Sequence, residues 1–579
     1  MDNLTACRLC LAALAVLQIV FIGPVCAQEY QIPATGTVDD WTHHHLVFSN
    51  PGTEQDAIRN GSHEAWLGTV TDDRYRIQWL KRYGAANRVD VASSSTTAQT
   101  SSLSGDGRKI DRPGSWIKRI HGDWAVTLAG GAGFGPAPDM YPAKYTFSPI
   151  GNPSCTDFVV FQVNTNGAVN QANLIGVNSL YKTTCSGSVP ATLFYYNVGS
   201  GSIKTSPVLS TDGTKVAFVE TVTNGSVFHV LTIGTTGNNG TSFNSPAVPG
   251  SSNNAVNVTI TMNGNVTVTR SSPFVDYKND NAYVGDDGGK LHKFHPVFSG
   301  TPAEVTTAPW PFTVASSVIL TGPVFDGGSS QNIFVGGSDG NLYCVTSAGA
   351  HCATSSVSVA SGASPGVVLD APIVDSTNQT VFATASNSTN SILMQAKTSL
   401  ASPVRATMGA NGTDLYAGAF DNAYFTSVGT GHMYFCGNLA GAATPTLYRV
   451  TFNGSGTMSG TNDGNSFQLV LTGNTGSTVD CTPLTEVLNG STDYLFLGVF
   501  NHGFTSGSPN CGNQTCMMSF VITSSFPSAA NAITTSGLGS LGMSGIIIDN
   551  VSGVAGASQI YFGGLQNNTG VQASQSALQ

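Results

Sequence analysis

The chain has 579 residues, 23 Lys+Arg against 33 Asp+Glu, a formal net charge of -10, and only 10% charged residues, where soluble domains average about 25%. An acidic chain without basic clusters repels phosphate backbones, so nucleic acid is excluded as a partner, and 40% apolar residues exclude a charged disordered tail. With 67 Gly and 26 Pro, a chain this heavily punctuated by turn formers reads as an all-β repeat protein.

Leu9 to Ile22 is apolar apart from Gln18, follows Arg8 and precedes Gly23-Pro24 and Val25-Cys26-Ala27. The pattern predicts a signal peptide over residues 1–27, cleaved before Gln28, with an uncleaved anchor as the alternative. Val25 stands where lipid attachment to Cys26 would want a small residue. No later stretch approaches the roughly 20 apolar residues of a membrane helix. The expectation is an extracytoplasmic chain (periplasmic, cell-surface or secreted) with no transmembrane span after cleavage.

Residues 39 to 124 hold 22 charged side chains, 11 of each sign, whereas residues 145 to 579 hold only 29. The early stretch therefore differs from the rest, and residues 28–91 read as a small, partly helical N-terminal segment. His43-His44-His45 follows Asp39-Asp40-Trp41; if extended, His43 and His45 share a face and could join a third ligand on a metal ion. No third ligand is identifiable, so a polar strand or loop is the preferred reading. Thr53 with Asp56, ended by Asn60-Gly61, predicts one helix, and Asp72-Asp73 ahead of Tyr75, Ile77, Trp79 and Leu80, with Gly84 after, predicts a second over about 73 to 83. Residues 92–112 are a Ser/Thr-rich linker with nothing to bury. The segment is thus expected to stand apart from the main body, residues 113–579.

Eight cysteines follow the signal: Cys155, Cys185, Cys344, Cys352, Cys436, Cys481, Cys511 and Cys516. An even number in an exported chain favours disulfides, and pairing of sequence neighbours gives Cys155 with Cys185, Cys344 with Cys352, Cys436 with Cys481 and Cys511 with Cys516, one of many possible connectivities.

From about residue 145 a phrase recurs: a small residue, Pro, two apolar residues and often Asp. It reads Ser206-Pro207-Val208-Leu209, Ser272-Pro273-Phe274-Val275-Asp276, Gly322-Pro323-Val324-Phe325-Asp326 and Ala371-Pro372-Ile373-Val374-Asp375, with prolines 66, 50 and 49 residues apart. Further copies are placed at Ser148-Pro149-Ile150, Gly418-Ala419-Phe420-Asp421, Thr482-Pro483-Leu484 and Ser544-Gly545-Ile546-Ile547-Ile548-Asp549. Each is followed by an apolar strand, and several by a Gly/Asp turn and a third strand, as in Tyr283 to Leu291 and Phe334 to Leu342. A period of roughly 45 to 65 residues with three or four strands fits a propeller blade, not a solenoid coil. The expected architecture is an all-β propeller of about eight four-stranded blades, with seven as the alternative. Asp123 to Leu128 is the candidate strand that closes the ring.

The phrase SPFVD followed by YVGDDGGKLHKF, and GPVFD followed by FVGGSDGNLYCV, resemble the repeats of quinoprotein-type, PQQ-like β-propellers. That resemblance implies blades around a channel and raises quinone-dependent dehydrogenation. The residues do not follow: no two cysteines are adjacent, and of six Trp only Trp310 lies inside the repeats.

Other chemistry meets simpler readings. The G-x-S-x-G matches around Ser338 and Ser364 lack a following helix, so both read as turns. Gly130 to Gly135 lacks the Lys-Ser/Thr of a phosphate loop. Asp286-Asp287-Gly288-Gly289 could offer oxygens to Ca2+, but turn chemistry explains it. The repeated Asp276, Asp326, Asp375 and Asp421 are expected to accept turn hydrogen bonds rather than form a catalytic pair. The resulting expectation is a secreted or surface binding module, more plausibly not an enzyme, with no cofactor assigned and Ca2+ left open. Its partner is a carbohydrate or protein surface, met through the inserts 233–256 and 501–516. A polysaccharide hydrolase or lyase, or a divergent quinoprotein oxidoreductase, is the alternative.

Overall fold

The computed structural model describes residues 36–84, 120–149, 153–469, 481–500, 515–533, 542–550 and 559–575, apart from gaps of one to four residues at 183, 265–267, 329, 362–365, 388, 411–414 and 440–443. The signal peptide, the 92–112 linker, Ser364, Cys511 and most of the 501–516 insert lie outside the described residues.

Eight antiparallel sheets follow one another along the chain and form the blades of a β-propeller. Blade 3 shows the pattern: Phe274–Asp276, Asn281–Gly285, Lys290–Phe294 and Phe312–Thr313 pair in sequence order. Turn chemistry sets the register, since Gly289 has φ +89° and a Cβ there would lie 1.6 Å from the Ala315 carbonyl oxygen. First strands of neighbouring blades touch one another around a central channel. Alternating side chains from facing sheets fill the space between blades, as where Val160, Leu174 and Phe194 of blade 1 meet Leu209, Phe218 and Leu231 of blade 2.

The ring closes as expected. Strand β3, Ile120–Thr127, pairs antiparallel with Thr569–Gln575 as the fourth strand of blade 8, so segments from the two ends of the propeller sequence share one sheet and close the ring. One repeat is displaced: the first strand of blade 1 is Ala143–Thr146, and Ser148-Pro149 falls in the connection after it. The strand hid its signature by carrying Lys144, a fully buried cation paired with Asp549 and 3.9 Å from Asp157.

A hydroxyl fastens many blades from within. Gly285, Gly336, Gly498 and Gly563 N–H donate to Ser271, Thr321, Thr482 and Ser544 hydroxyls at 2.7, 3.0, 2.8 and 2.8 Å. The repeated Asp residues do accept turn amides, as at Asp326 from Gly328 and Ser330. They also link blades: Ser376 donates to Asp326, and Tyr424 to Asp375 at 2.7 Å. Disulfides join Cys155 to Cys185, Cys344 to Cys352 and Cys436 to Cys481; Cys516 is also disulfide-bonded.

The N-terminal segment does not stand apart. Strand β1, Thr37–Asp39, adds antiparallel to the first strand of blade 1, and strand β2, Leu46–Val47, adds in parallel to that of blade 5. Between them, helix α1, Thr42–His45, crosses the channel. Trp41, 2% exposed, donates its indole N–H to the Pro273 carbonyl at 3.1 Å and packs under Gly322. The chain then leaves by the face that carries the first-to-second-strand turns. There, helices α2 (Glu54–Arg59), α3 (His63–Val70) and α4 (Asp73–Trp79) follow. As the sequence predicts, Thr53 caps α2 and Asp72 caps α4; α4 continues as a π-helical turn, Leu80–Gly84.

Three cations hold this cap down. Buried Arg74 donates to the Val275 carbonyl at 2.8 Å and lies 4.6 Å over both Phe274 and Tyr277. Lys81 pairs with Asp39 and donates to the Ile548 carbonyl, and Arg82 pairs with Glu486 while lying 3.5 Å over Phe425. Replacing Trp41 with Ala removes the side chain at the centre of the plug and is expected to lower stability by about 3–5 kcal/mol, read as a lower urea midpoint at unchanged slope; a loss below about 1 kcal/mol would mean the plug contributes little.

Candidate functional site

With one end of the channel covered by α2 to α4, the other ends in a blind pocket of about 450 Å3. Its walls are the connections into the first strands of blades 1, 3, 4, 5 and 6 and the second-to-third-strand turns of blades 3 and 4; its floor is Trp41 and His45 of the plug with Tyr141. Hydrogen bonds anchor several of these loops. Tyr141 N–H donates to Ser206 at 2.9 Å, Asp287 sits in the tight turn of blade 3, and Ser338 in that of blade 4, where its hydroxyl accepts from Ile319 N–H at 3.0 Å. The G-x-S-x-G match at Ser338 is thus a hairpin turn, not a nucleophile elbow.

The polar groups are unevenly satisfied. Asp370 accepts Ala371 N–H at 2.8 Å and Ala417 N–H at 2.9 Å, so this carboxylate ties the loops of blades 5 and 6 together, and its Oδ1 lies 3.4 Å from His45 Nε2 of the plug. His45 Nδ1 donates to the Trp41 carbonyl at 3.0 Å. Tyr141 is 1% exposed, yet its hydroxyl has no hydrogen-bond partner, and neither has Asp287 Oδ1. Burial, followed by the carboxylates of Asp370 and Asp139, pushes the Tyr141 phenol well above its usual range. Asp287 is pushed up to about 6, by burial first and by Asp286 beside it, against the pull of Arg270 and Lys204.

The histidine cluster departs from its expected geometry. The three residues form one helical turn rather than an extended strand, so His43 and His45 do not share a face. His43 Nδ1 lies 3.3 Å from Asp40, His44 stacks on Tyr141, and His45 faces Asp370. Among the described residues no group of three or more His, Cys, Asp or Glu side chains is arranged to hold a metal ion. Asp286 spends Oδ1 on Gly288 and Lys290 N–H and directs Oδ2 to His292, 3.0 Å away.

The 233–256 insert also lies elsewhere. Its backbone pairs with the outer strand of blade 1, through Tyr195 N–H to the Asn239 carbonyl and Ala247 N–H to the Tyr195 carbonyl, so it covers a sheet edge and not the pocket. Gly133 and Gly135 donate to the Gln566 and Leu565 carbonyls and Phe134 to Asn568, so these amides of the Gly-rich stretch are committed to the last hairpin of blade 8.

No family model and no curated protein matches this chain. Among solved structures it is similar to BamB from Moraxella catarrhalis, at 10% identity over 79% of this chain and 97% of that one with a TM-score of 0.36. The computationally designed Ika8 protein matches at 11% identity over 78% and 99%, TM-score 0.40. The β-propeller domain of Cps50 (Swd1) from Myceliophteria thermophila matches at 8% over 79% and 99%, TM-score 0.36. At these scores the likenesses carry no argument about function; the fold stands on the strand order.

A carboxyl whose folded value exceeds its unfolded value of about 3.9 binds more protons when folded, so stability falls as pH rises from about 4 to 6 and the cost persists above that window. Asp287→Asn removes the charge. Its Tm gain over the parent is therefore expected to grow through that window and stay level to pH 8; a gain confined to acid pH would contradict the assignment.

Proposed function

We propose that this protein is an exported binding module whose ligand site is the blind mouth of the propeller channel. The observation that carries this reading is the combination of a preformed pocket of about 450 Å3, built from loops of five blades, with three shielded polar atoms, the Tyr141 hydroxyl, Asp287 Oδ1 and His45 Nε2, that lack hydrogen-bond partners. Small-ligand sites are concave, largely apolar and furnished with a few polar groups of this kind. A plugged channel is a receptacle, not a conduit.

Binding is favoured over hydrolysis because Asp370 is engaged by two main-chain amides and held beside His45, so it is not a second free carboxyl to pair with the unpartnered one of Asp287. General acid and base roles call for carboxyl groups free to exchange protons with substrate. Export is supported by the apolar stretch after Arg8 and by the disulfides, which persist in oxidising compartments. No helix among the described residues is long and apolar enough to cross a membrane.

The test is a thermal-unfolding panel of cell-wall and plant polysaccharide fragments, short peptides, Ca2+ and PQQ, run on the parent protein and on Ser338→Trp, which places an indole in the pocket. A ligand that binds only the folded state raises Tm with concentration. The expected result is a rise with at least one ligand that Ser338→Trp abolishes. No rise with any ligand, or rises that the substitution leaves intact, would overturn the proposal.

A further inference from the structure

We infer that the channel-mouth pocket takes one or two rings of a neutral or amine-bearing sugar and rejects acidic sugars. This rests on the binding reading above and narrows it. Size comes first, since about 450 Å3 lies in the lower half of the roughly 300–1,000 Å3 range of small-ligand sites. Ile319 and Val367, exposed apolar side chains in the pocket lining, and the half-buried ring of Tyr416 give apolar surface against which the C–H face of a sugar ring packs.

The polar lining is rich in acceptors. Asp139, Asp287 and Asp370 line the pocket, and Arg270, exposed at its rim, is the one Lys or Arg among the lining residues. Hydroxyl and ammonium groups donate to such a lining, whereas a carboxylate or sulfate would be brought against three carboxylates in a partly desolvated site. Independently of the acidic residues, Tyr141 is 1% exposed with an unpartnered hydroxyl. A phenol held there can donate to a ring or hydroxyl oxygen of the sugar and accept from another hydroxyl. Asp287 Oδ1, also unpartnered, is the acceptor placed to receive an ammonium or hydroxyl donor.

Asp287 also carries a mark of function. Its charge opposes folding, because burial holds its carboxyl up at about 6, and a residue kept at a cost to stability is expected where a site needs it. A structural role predicts that Asn at this position changes stability alone; a ligand-binding role predicts that binding falls while stability does not.

The experiment is titration calorimetry on the purified protein at pH 7.5 with three probes: the β-1,4-linked glucosamine disaccharide, cellobiose and digalacturonic acid. Saturable binding of one or both of the first two and none of the third is expected. Asp287→Asn should weaken the glucosamine disaccharide by about tenfold or more with Tm unchanged or raised, and Tyr141→Phe should weaken whichever sugar binds. Digalacturonate binding as tightly as the others, or affinities untouched by Asp287→Asn, would overturn the inference. If no sugar binds while another panel ligand gives a Tm rise that Ser338→Trp abolishes, the sugar assignment falls and the binding reading stands; if nothing binds at all, both fall.

Discussion

An eight-bladed ring surrounds its axis with first strands whose inner edges carry backbone N–H and C=O groups, and those groups need partners wherever water is excluded. Two of the edges, in blades 1 and 5, receive strands β1 and β2 from the N-terminal segment. Everything between them follows from that double pairing. Six residues cross from one edge to the other, a single helical turn shortens the path, and Trp41 fills the lumen with its indole N–H satisfied by Pro273. The cations Arg74, Lys81 and Arg82 then reach back to blades 3, 8 and 7. Each meets a carbonyl or carboxylate at the channel rim, so the segment is fixed by hydrogen bonds as well as by apolar burial.

Plugging the ring creates the pocket. Without α1 the mouth would open into the lumen; with it, Trp41 and His45 supply a floor, and Asp370 of the loop above lies 3.4 Å from His45. The loops of blades 1, 3, 4, 5 and 6 are held by hydroxyl and carboxylate bonds to neighbouring backbone, which keeps the walls in place before any ligand arrives. Preorganisation of this kind lowers the ordering cost of binding.

Much of the ring was legible in the sequence because its signals are local and repeated. Pro at the start of a strand, two apolar residues, Asp at the turn and Gly in the hairpin each have a reason that depends on a few neighbours. The closing strand Ile120–Thr127 was legible from the want of a fourth strand after Leu565. The plug was not. Strands of three and two residues are too short for a period-2 pattern, and Asp39-Asp40 and His43-His44-His45 read as surface until the channel supplies Lys81, Tyr141 and Asp370 to meet them. The signal that could have found it is Trp41, a large apolar side chain in an otherwise polar stretch. The first blade was misplaced for a related reason, since Lys144 stands where the repeat has an apolar residue, and its partner Asp549 is about 400 residues away in sequence. Likewise the pocket joins Tyr141, Asp287 and Asp370, three residues with no sequence relation, so no spacing rule could have assembled it.

Residues 37 to 47 are an integral part of the propeller and floor its channel-mouth pocket. Hydrogen exchange of the backbone amides across Thr37–Asp39 and Leu46–Val47 tests it most directly, because exchange reports local opening. Protection comparable to that of the first strands of blades 1 and 5 is expected. Rapid exchange of these amides alongside protected blades would show the plug to be separable from the ring, and the floored pocket would go with it.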